Sequence, residues 1–98
     1  MKFLMFGSFA GAAPGTDWGA FMNHNHTNAD GKLKQLGVQI ESLYLTLAGQ
    51  HQFVVGVEAP STEVMFAFQL WYNCQGRGSI QIVPAYTLDQ GMAAAAKA

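Results

Sequence analysis

At 98 residues the chain suits one domain with a single core, and a fold of that size buries roughly two-thirds of the surface its unfolded chain exposes. Half of its residues are hydrophobic and 11% are charged, against roughly a quarter charged in an ordinary soluble domain, so part of the surface is expected to be withheld from water. A net charge of −1 with five scattered basic residues argues against nucleic acid as a partner, the longest apolar run is far shorter than the roughly 20 residues of a bilayer span, and the lone Cys74 rules out an internal disulfide and fits a reducing compartment, the cytoplasm.

Lys2 to Phe9 is apolar on both alternating sets, Phe3/Met5/Phe9 and Leu4/Phe6, the pattern of a central strand covered on two faces. The stretch is too short, and too soon followed by glycine and proline, to read as a signal peptide. A loop closing in Pro14-Gly15 leads to Thr16, a candidate cap for a helix with Asp17 in its first turn. Trp18, Phe21 and Met22 form that helix's apolar stripe, continued by Asn25 or His26, and the helix is expected to fray near Thr27 to Asp30, with Gly31 opening a connecting segment. Val38 to Leu47 then alternates Val38/Ile40/Ser42/Tyr44 with Gln39/Glu41/Leu43/Leu45, the period of a strand.

Ala48-Gly49-Gln50-His51 is a hairpin connection, and Gln52 to Glu58 resumes β-branched alternation, so the two strands are antiparallel neighbours. Pro60-Ser61 stops the strand and caps a second helix with Val64, Phe68, Trp71 and Tyr72 at helical spacing. Gln75-Gly76-Arg77-Gly78 ends it with two glycines able to take positive φ. Ser79 to Tyr86 is a fourth strand, and Pro84, which cannot donate to a ladder, places it at a sheet edge, at a bulge or past the strand's end. Thr87 and Gln90 have capping-box spacing ahead of the alanine run, which predicts a short helix over about 88–97.

Strand, helix, hairpin, helix, strand is the split βαβ order of an α+β, ferredoxin-like domain: a four-stranded antiparallel sheet with two helices on one face. The whole chain, 1–98, reads as one such domain. The opposite sheet face is expected to carry Leu4, Phe6, Leu43, Leu45, Val54 and Val83, with Lys2, Glu41, Glu58 and Gln81 among them. Six large apolar side chains exceed what a monomer leaves wet, and a second copy packing sheet on sheet would cover them.

That order resembles the dimeric α/β-barrel superfamily. Three stretches sharpen the likeness: Met1-Lys2-Phe3-Leu4, then Gly37-Val38 through the hairpin to Phe53-Val54-Val55-Gly56-Val57-Glu58, then Gln81-Ile82-Val83-Pro84-Ala85-Tyr86 with the alanine-rich tail. With Leu70-Trp71 on the second helix, they resemble a small bacterial family of uncharacterised domains within that superfamily. The resemblance implies a homodimer and spans nearly the whole chain, but it brings no catalytic residues. Superfamily relatives include cofactor-independent monooxygenases, isomerases, haem-degrading enzymes and stress-response domains, so fold analogy leaves function open. Asn23-His24-Asn25-His26 and a weakly charged first helix depart from the nearest look-alikes.

His24 and His26 invite a metal reading, but residues two apart on a helix point roughly 200° from each other. A third ligand is missing too, so no metal is expected. His26 extends the Trp18/Met22 stripe toward the space between helix and sheet, where Tyr44 and Trp71 are expected to reach. A cavity walled by Trp18, Met22 and Trp71 would accept a small apolar ligand, with His26 and Tyr44 as an acid–base pair. The plainer alternative makes Trp18, Tyr44 and Trp71 ordinary core aromatics. Glu41 and Glu58 suit the rim of an interface beside Lys2, Cys74 near a helix C-terminus suits an inert thiol, and the glycines around Arg77 lack phosphate-loop spacing. The functional expectation is a homodimeric small-ligand binding or accessory protein without a cofactor. The alternative is a cofactor-independent monooxygenase or isomerase acting on a small aromatic or lactone-like substrate through His26 and Tyr44.

Overall fold

The computed structural model describes residues 1–9, 15–46, 51–76 and 78–98. Strand β1 (Lys2–Phe9) is followed by α1 (Trp18–Gln35), β2 (Gln39–Leu45), β3 (Phe53–Glu58), α2 (Thr62–Asn73), β4 (Gly78–Ala85) and α3 (Leu88–Ala95). The strands form one antiparallel sheet in the order β2-β3-β1-β4. This is the expected ferredoxin-like α+β arrangement, with α3 appended. The expected turn at Ala48 to Gln50, the loop from Ala10 to Pro14 and Arg77 lie outside the described residues.

One sheet face and the two long helices make the core. Phe3, Met5, Val55, Val57 and Ile80 point from the strands toward Leu33 of α1 and Met65, Phe68 and Tyr72 of α2. β1 and β3 lie at the centre of the sheet, and their inward residues are the most deeply buried. Pro84 sits on the edge strand β4, where its missing N–H breaks no ladder. Gly7 opposes Phe53 across the β1–β3 pair, and the Phe53 ring lies over the glycine so closely that an added Cβ would stand 1.9 Å from it.

Two expectations are corrected. The first helix does not fray at Thr27 to Asp30 but runs through Gly31 to Gln35, capped by Asp17, not Thr16. Leu33 anchors its last turns in the core, Asp30 pairs with Lys34 at 3.0 Å, and Lys32 and Lys34 meet the carbonyl end of the helix dipole. That is enough to carry Gly31, whose cost in a helix is about 1 kcal/mol.

The second correction is a register shift between Ile40 and Ser42 in the β2–β3 pairing, with Glu41 as the additional residue. A bulge of this kind reverses the alternation beyond it. Leu43 and Leu45 therefore pair with Val55 and Phe53 and turn to the helix side, not to the open face where the uninterrupted pattern put them. Ser42 and Tyr44, opposite Gly56 and Val54, turn to the open face instead. Gly56 makes room for the bulged strand, since a Cβ there would come within 2.6 Å of the Ser42 hydroxyl.

The C-terminal helix forms the reciprocal Thr87–Gln90 capping box its sequence predicts, at 3.1 and 2.8 Å. It buries no residue. Partly through this projection the molecule measures 54 × 30 × 19 Å with a radius of gyration of 15.0 Å, against about 13 Å for a compact chain of this length.

Candidate functional site

The two helices cover the sheet unequally. α2 lies close against β4, whereas α1 stands off from the strands. A cleft of about 350 Å³ opens between α1, α2 and the β2–β3 half of the sheet. Met22, Ala29 and Leu33 line it from α1, Ile40, Leu43 and Leu45 from β2, and Met5, Phe9, Phe53, Val55, Phe68 and Ile80 from the floor and far wall. An aromatic series runs along its edge from Trp18 through Phe21, Phe9 and Phe53 to Tyr72, with successive centroids 5.2 to 6.3 Å apart.

Few polar groups enter this space. Asn25 is 7% exposed, and its amide donates to the Tyr72 hydroxyl at 3.3 Å, joining α1 to α2 at the cleft wall. Asn25 takes the inward place on the stripe because Trp18, Met22, Asn25, Ala29 and Leu33 follow one another at helical spacing. His26, one residue on, lines the cleft from an exposed position, near Asn23 and Asp30. Chemically the arrangement is an apolar pocket with one buried amide–phenol pair and a polar rim. It suits a small, largely apolar molecule fixed by one or two hydrogen bonds.

The model of the GYD domain family matches residues 17–95, from the cap of α1 to the end of α3. The chain belongs to the GYD domain family. The match takes in the cleft residues named above other than Met5 and Phe9, and it agrees coarsely with the dimeric α/β-barrel resemblance. No curated protein matches the chain.

In this GYD domain the residues picked out by sequence are distributed differently from expectation. Met22 and His26 do reach the cleft. Tyr44 does not: the bulge turns it to the opposite sheet face, where it is 66% exposed, so His26 and Tyr44 do not share a space. Trp18 stays half exposed at the start of α1, packed on Phe21. Trp71 lies on Phe68 and looks outward into a shallow groove with His24, Asn28 and Gln35, where the Lys32 ammonium stands 5.9 Å from its ring. Because α1 continues as helix, His24 faces this outer groove while His26 faces the cleft. Among the described residues no three His, Cys, Asp or Glu side chains are grouped to hold a metal ion.

Sequence reasoning leaves Asn25 and His26 as alternatives for the inward polar position, which Asn25 takes, and misses Leu43 and Leu45 as cleft walls. The 18/22/25/29/33 spacing carries the signal that decides for Asn25, and the expected fraying at Thr27 to Asp30 hides its last two members. Nothing in the alternation of β2 marks the bulge.

The open sheet face of the GYD domain carries Leu4, Phe6, Tyr44, Val54 and Val83 around Gly56. At one end Lys2 joins Glu41 at 2.7 Å and Glu58 at 3.7 Å, and the terminal ammonium of Met1 also meets Glu58. The hydrogen bond to Glu41 is the main influence raising the Lys2 pKa. The Met1 ammonium, through its hydrogen bond, is the main influence lowering that of Glu58, with Lys2 adding to it. No helix among the described residues is long and apolar enough to cross a membrane.

Proposed function

We propose that this GYD domain is a homodimeric small-ligand binding or accessory protein that holds a small apolar or aromatic molecule in the cleft between α1 and the sheet. The observation that carries this reading is the cleft itself: about 350 Å³ of space walled by Met, Leu, Ile and Phe side chains, with the buried Asn25–Tyr72 pair as its main polar fixture. An open apolar cleft of this size in a chain of 98 residues weakens the core around it, and a bound ligand would restore those contacts. The reading of the pair as two protomers rests on the apolar open face and on the family's coarse likeness to dimeric α/β barrels.

The oxygenase or isomerase alternative loses its named acid–base pair, because Tyr44 and His26 lie on opposite sides of the sheet. Titration with 1-anilinonaphthalene-8-sulfonate tests the binding reading. The wild-type chain is expected to bind the dye saturably, Ala29→Phe, which fills the cleft from α1, to bind at least tenfold more weakly, and Leu70→Gln on the outer face of α2 to bind like wild type. Equal binding by Ala29→Phe, with its fold confirmed by circular dichroism, would overturn the reading.

A further inference from the structure

We propose that the outer edge of β2 is a second interface, at which Leu43-Tyr44-Leu45 pairs antiparallel with the same three residues of another copy of this chain and sets two clefts mouth to mouth. This pairing is separate from the covering of the open sheet face and does not depend on it.

The two outer edges of the sheet are built differently. Ala59 N–H donates to the Met1 carbonyl at 2.8 Å, and Thr46 N–H to the Gln52 carbonyl at 2.9 Å. With the strand registers, these bonds fix which backbone groups turn outward. The odd-numbered residues of β1 and β3 bond each other, Val54 and Gly56 bond Tyr44 and Ser42, and the even-numbered residues of β1 bond the odd-numbered ones of β4. Ile80, Ile82 and Pro84 therefore face out from β4, and Leu43 and Leu45 from β2.

On β4 the edge is blocked. The Asn73 side chain of α2 accepts from the Ile80 N–H at 3.1 Å, and Pro84 has no N–H to offer. Only the Ile82 donor remains between them. On β2 the bulge at Glu41 disturbs the first half of the edge, but from Ser42 to Leu45 there is no proline and no charge. Among the described residues no partner meets the outward N–H and C=O groups of Leu43 and Leu45. The side chains of Leu43, Tyr44 and Leu45 are exposed as well, by 43%, 66% and 59%. An edge bare in backbone and apolar in side chains is a template for another strand.

Symmetry selects a second copy as that strand. A two-fold axis through Tyr44 sets Leu43 opposite the partner's Leu45 and Leu45 opposite the partner's Leu43, so that all four outward N–H groups meet outward carbonyls. An axis at Leu43 would bring the Glu41 bulge into the ladder, and one at Leu45 would run past the end of β2. On the helix side the four leucines then lie next to one another, about 5 Å apart between paired Cβ atoms. Leu43 and Leu45 line the cleft in each copy, so each cleft gains the partner's Leu43 and Leu45 as a further wall.

The area involved sets the strength. Five edge residues at roughly 3.3 Å each, in a layer about 10 Å deep, give a contact of roughly 170 Å². A stable pair usually covers about 800 Å² on each partner. The edge contact is accordingly weak and forms at high concentration.

Tyr44→Cys in a Cys74→Ser chain tests the proposal, equilibrated with oxidised glutathione at millimolar chain concentration and read by non-reducing electrophoresis and mass spectrometry. Edge pairing puts the two substituted residues opposite each other with Cα atoms about 4.5 Å apart, within reach of a disulfide. Two sheets packed face to face stand about 10 Å apart, too far for one. The expected product is two chains joined at position 44. Ser42→Cys, which the same register leaves roughly 13 Å along the strand from its copy, is expected to give at least tenfold less. Adding Leu45→Pro to Tyr44→Cys is expected to cut the yield at least tenfold too, because that proline removes an outward N–H and leaves the β2–β3 ladder intact; circular dichroism confirms the fold. No disulfide at position 44, equal yields at 42 and 44, or a yield unchanged by Leu45→Pro would overturn the proposal. A wild-type chain that sediments as a monomer at micromolar concentration would instead remove the open-face pair of the proposed function, and the disulfide at position 44 would still be expected.

Discussion

Gly7 and Phe53 illustrate how closely single residues are fitted on the helix side of the sheet. A methyl group at position 7 would fall inside the Phe53 ring, and that ring also packs edge-on to Tyr72 and against Phe9, so it has little room to withdraw. Gly7→Ala is therefore expected to destabilise by about 1–3 kcal/mol, as overpacking does, measured by urea denaturation. Tyr72→Phe leaves the Asn25 amide without its acceptor on α2. A buried donor stripped of its partner costs about 1–3 kcal/mol, and the variant should unfold at correspondingly lower urea concentration.

Titration at Lys2 and Glu58 gives a signed expectation. Glu58 has its pKa lowered in the folded chain, so its contribution is present above the ordinary carboxylate range and is lost as pH falls through the lowered value. The raised pKa of Lys2 makes its contribution complete below the ordinary lysine range and lost as pH rises past it. Both groups are exposed, so the effects are small. Glu58→Gln should flatten the acid limb of a stability–pH profile and only reduce the alkaline limb, because Glu41, the main influence on Lys2, stays in place.

At the scale of elements, α1 and β2 show what a sequence pattern carries and what it omits. Gly31 sits inside α1 with nothing near the position of a Cβ. Gly31→Ala should stabilise by about 0.5–1 kcal/mol, seen as a higher melting temperature with unchanged dye binding. The short apolar stripe at Trp18, Phe21 and Met22 suggests fraying already at Thr27 to Asp30, and that local signal is outweighed by Leu33 in the core and by the Asp30–Lys34 pair, which are tertiary and side-chain effects. The capping residues Ser61 and Thr87 and the positive φ of Gly76 and Gly78 were legible, because each depends on chemistry within a few residues, whereas Pro84 alone left an edge, a bulge and a strand end open until the strand order put β4 at the edge. The bulge at Glu41 was not. It depends on how β2 meets β3 and on the space left by Gly56, and its consequence was to exchange Tyr44 for Leu43 and Leu45 between the two faces.

The whole molecule is a half-covered sheet with a projecting helix. Two helices shelter one face, and the other presents Leu4, Phe6, Val54, Val83 and Tyr44. That face was legible on the three strands without a bulge, where strict alternation survives. The site was less so, because the cleft arises from the distance at which α1 stands from the strands, which no periodicity encodes. The low charge content finds its physical counterpart here: Tyr86, Leu88 and Met92 join the open face in leaving much carbon in water in a single chain.

Sedimentation equilibrium at micromolar concentrations tests most directly the claim that a second copy covers this surface. The expected particle has twice the 10.6 kDa chain mass and dissociates only on strong dilution. A single 10.6 kDa species across that range would contradict it.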